Sequence, residues 1–330
     1  MENTDVSTLP LVSIVSVNYG QTSLTLETIR SLIAITYPNF EILIVDNGSP
    51  QSCKSAVNAE FPKVKVIESV KNLGFAGGNN LGIKEAHGKY LLFINNDTEV
   101  EPDFLEPMVK LAESDLQIGM ISPKLKFYFS ENKNIIQWAG SSGLSLLTVR
   151  GQSRGDFEVD NGQYDEVMPT QLIHGAAMLV PMEAIRKVGL LPDIYFLYYE
   201  ELDWAEAIKR AGYKLYYQGQ STVYHKESMS VGKNSPLKTY YMTRGRLIFT
   251  RRNRSGLKLL LAILFFAFLT IPKNLLLMMK NKEWKLAGAF LQGIGWHFKP
   301  RNVLVTPKLM ASADGSLSII NDSFQEVKKF

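Results

Sequence analysis

One cysteine, Cys53, is present in 330 residues, so no intrachain disulfide and no Cys-rich zinc site can form. Histidine is scarce as well, with four residues at 87, 174, 225 and 297. The opening stretch MENTDVSTLP carries no basic region and no apolar region. No secretory signal is expected there, and the compartment expected by default is the cytoplasm. Internal repeats and low-complexity runs are absent. An unbroken apolar stretch of the ~20 residues that a bilayer span needs is also missing. What is present is ordinary for a folded chain: 45% apolar and 21% charged residues, which excludes a disordered or collagen-like protein. At ~150 residues per domain the length suits two domains, or one large α/β domain with appendages.

The net charge of +4 hides a split. Residues 1–225 hold 18 Lys/Arg against 27 Asp/Glu, a net of −9, whereas residues 226–330 hold 18 against 5, a net of +13. A basic C-terminal third on an acidic body points to an anionic partner: nucleic acid, membrane surface or phosphorylated substrate. Leu259 to Ile271 is thirteen apolar or near-neutral residues, interrupted by Pro272, Lys273 and Asn274 and resumed from Leu275 to Met279. Basic residues flank both sides: Arg251, Arg252, Arg254 and Lys258 before, Lys280, Lys282 and Lys285 after. A single span biases its basic residues to one side, so a segment lying in the membrane interface is favoured. A spanning helix and a buried core or oligomer helix are the alternatives. A nucleic-acid binder is disfavoured, because the basic residues border an apolar segment instead of an aromatic platform.

The first half alternates strands and helices. Leu11–Val17, Glu41–Val45, Val64–Ile67 and Tyr90–Ile94 read as strands. Thr22–Ala34, Gln51–Glu60, Phe75–Ala86 and Phe104–Leu111 read as helices, with Pro102 at the last start. That spacing predicts βαβ crossovers and a mainly parallel sheet. Ligands bind at the carboxyl ends of such strands, here Asn18, Asp46, Glu68–Asn72 and Asn95–Asp97. Residues 118–180 are less regular, with β-prone pieces at Ile118–Ile121, Leu144–Val149 and Gln171–Val180 and a surface loop at Asp156–Met168. Pro181–Val188 and Glu200–Ala211 read as helices, Tyr213–Tyr217 and Thr222–His225 as strands.

Several of these positions can carry chemistry. In Asn95-Asn96-Asp97, oxygen ligands two residues apart can face one hard cation, with a diphosphate completing the shell; the plain alternative is a turn-forming loop. Asp46 can accept hydrogen bonds from a nucleobase or ribose, although Asn47-Gly48 is equally a turn signal. The Gly-rich stretch Asn72–Asn80 offers backbone N–H groups at a helix start, but its G-x-x-G-G spacing is not the dinucleotide fingerprint. Glu200, Glu201 and Asp203 place three carboxylates in four residues, directly after Tyr195-Phe196-Leu197-Tyr198-Tyr199. Acids in a first helical turn suit the macrodipole, while an aromatic wall would raise a carboxylate's pKa toward general-base work. His225, at a strand end, is either structural or a metal ligand. His174 opens a Gly-Ala-Ala stretch able to line a substrate pocket.

Singly these signals are weak, but their order is specific. SIVSVNY, ILIVDNGS, NLGFAGGNN, YLLFINNDTEV, HGAAMLVP, YYEELDW and YHK in series resemble family-2 glycosyltransferases of the GT-A fold, most closely the bacterial rhamnosyltransferase-like branch, over about residues 10–255. The resemblance implies a GT-A-type, Rossmann-like α/β fold with a mainly parallel sheet, flanking helices and a C-terminal helical membrane-associating region. It divides the chain into a tail (1–10), a nucleotide-sugar half (11–115), an acceptor and catalytic half (116–255) and the basic C-terminal region (256–330). It implies an inverting transferase acting from a nucleoside-diphosphate sugar, with dTDP-rhamnose the donor the branch points to, onto a glycan or lipid-diphosphate-linked acceptor. Mg²⁺ or Mn²⁺ would sit at Asp97, with Asn95 and His225 as further ligands; Asn at the first motif position leaves Asp97 as the main charge. Val17, Asn18, Tyr19 and Asp46 would meet the nucleotide. Asn72, Gly74, Phe75 and Asn79 would lie beside the ribose and diphosphate, with Asn96, His174, Gly175 and Arg244 completing the substrate contacts. Glu201 is the implied base, with Glu200 and Asp203 as alternatives, because Glu stands where the family pattern has Asp. The resemblance leaves room for self-association through the C-terminal region and implies work at the inner face of the cell membrane. A scaffold that kept the fold and lost activity, and a nucleotidyltransferase, are competing readings. The latter wants a cation in the loop after the first strand, where Asn18–Thr22 has none.

Overall fold

The computed structural model describes residues 9–129, 133–226 and 235–298 in full and the backbone of Lys308–Ala311 and Leu317–Ile320. Residues 1–8 of the expected tail and most of 299–330 lie outside the described residues. The first half reads β1 (Val12–Asn18), α1 (Thr22–Ile33), β2 (Phe40–Asn47), α2 (Lys54–Glu60), β3 (Lys65–Ser69), α3 (Gly74–Glu85), β4 (Tyr90–Ile94), β5 (Thr98–Val100) and α4 (Leu105–Ser114). Then follow β6 (Ile118–Phe127), β7 (Ile136–Trp138), β8 (Ser141–Leu144), β9 (Gly151–Ser153), β10 (Val167–Pro169), β11 (Ala177–Pro181), α5 (Met182–Val188), α6 (Glu200–Arg210) and β12 (Lys214–His225). The C-terminal helices are α7 (Pro236–Asn253), α8 (Gly256–Phe265), α9 (Ile271–Lys280) and α10 (Trp284–Gly295), and β13 (Lys308–Ala311) pairs antiparallel with β14 (Leu317–Ile320).

A ten-stranded sheet runs in the order β10-β12-β6-β11-β4-β1-β2-β3, with β5 on β12 and β7 on β6. The β3-β2-β1-β4 half is parallel. Its strands are apolar on both faces because helices cover both; every residue of β4 is buried. The antiparallel β11 then inserts between β4 and β6, so one sheet runs through both halves of the expected division. This mainly parallel sheet with flanking helices is the fold read from the sequence. Trp204 of α6 packs edge-on to Phe93 of β4, and its indole N–H donates to the Gly189 carbonyl at 3.0 Å. That contact fixes α6 against the sheet.

Several local expectations differ from the structure: Gln171–Val180 is strand only from Ala177, and the strands expected at Tyr213–Tyr217 and Thr222–His225 are one, β12. Of Leu144–Val149 only Leu144 is strand, ending β8, and the residues after it form the turn to β9, which pairs with β8. The chain from Gly256 to Lys280 is one continuous helix through Pro272. Proline lacks an N–H and crowds the carbonyl four residues back, and a π-helical turn at Phe266–Thr270 absorbs the misfit just before it. Ser235 caps α7 by accepting from the Lys238 N–H at 3.1 Å, with Pro236 in the first turn. At the other end α10 folds back onto α7 and α9, making a helical hairpin.

Candidate active site

The parallel strands β1, β2 and β4 end at one edge of the sheet, and β11, running the other way, begins there, with Ala177 opposite Ile94. On one side of that edge, Asn18 and Asp46 are neighbours across β1 and β2. Asp46 is buried; its Oδ2 accepts from the Cys53 N–H at 2.7 Å and its Oδ1 from the Ser49 N–H at 3.1 Å. Burial works to raise its pKa, but those hydrogen bonds outweigh it and hold the carboxyl below its usual value. Asn18 donates to Asp46 and accepts from Gln21, Thr25 and Asn96, tying the three strand ends into one network. Asn47 pins the Gly-rich loop, accepting from the Leu73 N–H at 3.0 Å and donating to the Gly74 carbonyl at 2.9 Å. Gly74 stands at φ +73°, where a Cβ would lie 2.1 Å from the Phe196 carbonyl oxygen; only glycine permits this approach. The Phe75 N–H donates to that same oxygen at 2.7 Å. Val17 packs on Gly78, Tyr19 is 48% exposed, and Asn79 is turned inward to donate to the Phe75 carbonyl.

In the middle of the edge, β5 pairs with β12 so that Thr98 faces His225 and the Lys226 N–H reaches the Asp97 carbonyl. His225 Nε2 comes within 3.3 Å of Asp97 Oδ1 and 3.3 Å of Asn95 Nδ2. Its Nδ1 is 3.0 Å from Gln137 Oε1, an acceptor, so Nδ1 carries a proton and the ring is held with Nε2 toward Asp97. Two donors on one octahedral ion with bonds of about 2.1 Å lie about 3 Å apart, and such ions take one or two carboxylates plus substrate phosphates. Asp97, His225 and the Asn95 amide therefore fit a divalent cation that a diphosphate completes. Among the described residues no cluster of three His, Cys, Asp or Glu side chains offers a cage complete in itself.

His174 follows next, its ring 6.1 Å from that of His225. Its Nδ1 accepts from the Ala176 N–H at 3.1 Å, and desolvation, helped by His225, pushes its pKa down to about 3, so it stands neutral. A Cβ on the adjacent Gly175 would lie 3.5 Å from the Glu201 carboxyl carbon. Burial pushes Glu201 up to about 7, and burial together with the charge of Glu201 drives Glu200 well above the carboxylate range. Glu200 Oε2 has no hydrogen-bond partner among the described residues, which suits a protonated acid. Asp203 is engaged otherwise: it accepts from Arg252 Nε at 2.5 Å and Asn253 Nδ2 at 2.6 Å, locking α6 to α7. Phe196, Tyr198 and Tyr199 ahead of α6 all have positive φ, at 64°, 69° and 78°, each costing about 1–3 kcal/mol. Arg244 helps to hold that strained run. It is buried, donates to the carbonyls of Ile194 and Tyr195, and stacks on Tyr240, Tyr241 and Trp296.

The structure thus brings Asn18, Asp46, Asn95, Asn96, Asp97, His225, His174, Gly175 and Glu201 along one edge, with the Asn72–Asn79 loop against the run before α6. Arg244 and Asp203 are packed behind it. Three contributors were not picked out as site residues from the sequence. Gln137, which holds the His225 ring, lies in the irregular stretch. Asn47 looked like a turn residue. Asn80 clamps Leu191 through both its amide atoms, at 2.9 and 3.0 Å, and so braces the chain before α6. A cavity of about 350 Å³ lies between His87 and Tyr213 at the opposite end of β4. It meets none of these residues, and the strand carboxyl ends remain the site on chemical grounds.

Residues 13–159 match the family model described as glycosyl transferase family 2. The chain is similar to an uncharacterized protein, y4gI, of Sinorhizobium fredii: 25% identical, over 68% of this chain and 25% of that one. It is similar to the low-salt glycan biosynthesis hexosyltransferase Agl10 of Haloferax volcanii: 25% identical, over 60% of this chain and 62% of that one. The chain thus spans between a quarter and three fifths of these two relatives. Among solved structures it resembles the mannosyltransferase PcManGT of Pyrobaculum calidifontis in complex with GDP-Man and Mn²⁺, with 14% identity, coverage of 91% and 78% of the two chains and a TM-score of 0.55. The likeness to that family covers residues 13–159, one of the two relatives is named as a hexosyltransferase, and the structural likeness is one of fold.

Proposed function

We propose that this chain transfers a sugar from a nucleoside-diphosphate sugar to an acceptor hydroxyl, with inversion at the anomeric carbon. The observation that carries the reading is the placement of Glu201, a carboxylate of raised pKa, along one sheet edge from the Asp97–His225 pair, with His174 and Gly175 between them. Asp46 and Asn18 face the nucleoside, and the loop from Asn72 to Asn79 borders its phosphates. Asp97, His225 and Asn95 would hold Mg²⁺ or Mn²⁺, which when bound neutralises charge on the leaving diphosphate. Glu201 takes the proton of the acceptor hydroxyl as that oxygen bonds to the anomeric carbon and the bond to the diphosphate breaks on the opposite face. A base with a pKa near 7 is matched to this task, and one base suffices, unlike the carboxylate pair of glycosidases. Neutral Glu200 beside it lets Glu201 carry the single negative charge of the pair.

The donor favoured by the motif likeness is dTDP-rhamnose, and the acceptor a lipid-diphosphate-linked or surface glycan at the inner face of the cell membrane. The helix from Gly256 to Lys280 supports the membrane part: it is long and apolar enough to cross a bilayer and is largely unburied. Because α10 returns to α7, both ends of the hairpin stay with the body. Together with Lys273 inside the helix, this favours a segment dipping into the interface over a single span. The test is nucleoside-diphosphate release from dTDP-, UDP- and GDP-sugars with and without Mn²⁺. Metal-dependent release from one donor class is expected. No release from any donor, with metal present, would favour a non-catalytic scaffold instead.

A further inference from the structure

The hairpin and α7 enclose a groove of about 280 Å³ that the site above does not use. Leu247 of α7, Ile263 of α8, Phe266 and Ala267 of the π turn and Ile294 of α10 line it. Its polar lining is nearly spent. The Thr250 hydroxyl donates to the Arg246 carbonyl at 2.8 Å. His297 Nε2 lies 3.1 Å from the Arg244 carbonyl and donates to it, which leaves the Nδ1 lone pair to accept from Arg251 Nη1 at 3.3 Å. Burial pushes the His297 pKa down to about 4, so the ring adds no charge. Arg251 is therefore the one charged member of the lining. Among the described residues no carboxylate pairs with it, whereas the next residue, Arg252, is committed to Asp203. An apolar groove bearing one uncompensated guanidinium matches an amphiphilic anion. It also adjoins the exposed apolar residues Leu264, Phe268 and Leu269 of the same hairpin, which opens it toward a hydrocarbon phase.

We infer that this groove holds the hydrocarbon chain of a lipid phosphate, with Arg251 on the phosphate. The same His297 that aims Arg251 is anchored to the backbone of Arg244, whose side chain holds the carbonyls of Ile194 and Tyr195 before α6. A lipid in the groove is thus one residue pair removed from the catalytic segment, as a carrier of the acceptor would be. That last assignment alone rests on the transfer reading; the binding test reads no turnover, so the two fail separately.

The test is calorimetric titration of the full chain with decyl phosphate below its micelle concentration, alongside decanol and inorganic phosphate. Saturable binding of decyl phosphate is expected, tighter than decanol, with none for inorganic phosphate. Ala267→Trp, which fills the groove, lowers affinity at least tenfold, and Ala267→Leu lowers it less. Arg251→Gln brings decyl phosphate down to the level of decanol. Thermal melts confirm that each variant folds. Unchanged affinity in folded Ala267→Trp overturns the site. Equal binding of decyl phosphate and decanol to the wild type overturns the role of Arg251. A dimer in sedimentation that Ala267→Trp converts to monomer, without decyl phosphate binding, assigns the groove to a second copy and overturns the proposal.

Discussion

β4 and α8 are built from nearly the same residues and meet opposite fates. In β4 the run Tyr90–Ile94 is entirely buried; in α8 the run Gly256–Phe265 buries Ala262 alone. The difference lies in their neighbours. β4 sits between β1 and β11 with helices over both faces, whereas α8 meets α7 and the π turn and, among the described residues, leaves most of its side chains exposed. An apolar run therefore reports a need for cover, and the surroundings decide whether protein supplies it. In the body, burial lifts the pKa of Glu201 and brings Asp97 and His225 within 3.3 Å of each other. In the hairpin, uncovered surface is left for a partner.

The contrast predicts where substitutions act. The largest effect is expected at Glu201. Glu201→Gln removes the proposed base and is expected to lower turnover by about 10²–10⁴-fold while the donor still binds. In the wild type kcat/KM should rise with pH up to about 7, as this carboxyl loses its proton, and then level off. The sign for stability is the reverse. Between the ordinary value of 4.5 and about 7, the folded chain keeps a proton that the unfolded chain has released, so stability falls as pH rises through that window. Glu201→Gln lacks this fall and should be more stable at pH 8 by up to roughly 3 kcal/mol. Denaturant titration of both proteins at pH 5 and pH 8 checks it; a less stable variant at pH 8 would break the link between burial and function.

Next in size is the core. Leu92→Ala in β4 is expected to cost about 3 kcal/mol by chemical denaturation, from lost burial and a residual cavity. Asp97→Ala should weaken metal-dependent donor binding about 10–100-fold, read by titration with and without Mn²⁺, with little loss of metal-free binding. The smallest effect on folding belongs to the hairpin. Phe268→Ser, at a residue 72% exposed, should change stability by no more than about 0.5 kcal/mol. It should nevertheless weaken binding to anionic phosphatidylglycerol vesicles about tenfold, since burying such a side chain is worth about 1.5–3 kcal/mol. Equal stability losses in Leu92→Ala and Phe268→Ser would erase the contrast.

The sequence showed the body more clearly than the links within it. Strands such as Leu11–Val17 and Tyr90–Ile94 were legible because residues covered on both faces must be apolar throughout. Asp97, His225 and Glu201 stood out by order and motif, and the structure sets them along one sheet edge, while their roles remain a proposal. The insertion of β11 between β4 and β6 was not, because strand order depends on long-range pairing that no local pattern encodes. Gln137 was hidden for the same reason: its role exists only because β7 brings it to a histidine 88 residues away. Pro272 read as an interruption because one helical register was assumed, and the π turn at Phe266–Thr270 supplies another. Asp203 resembled its neighbours in sequence, and only the packing of α7 shows it bound to Arg252 and Asn253.

The most direct test of the central claim is anomalous diffraction from crystals grown with Mn²⁺ and an unreactive donor analogue. The account predicts a manganese peak within bonding distance of Asp97 Oδ1 and His225 Nε2, with the anomeric carbon turned toward Glu201. A manganese peak elsewhere, or a sugar facing away from Glu201, would contradict it.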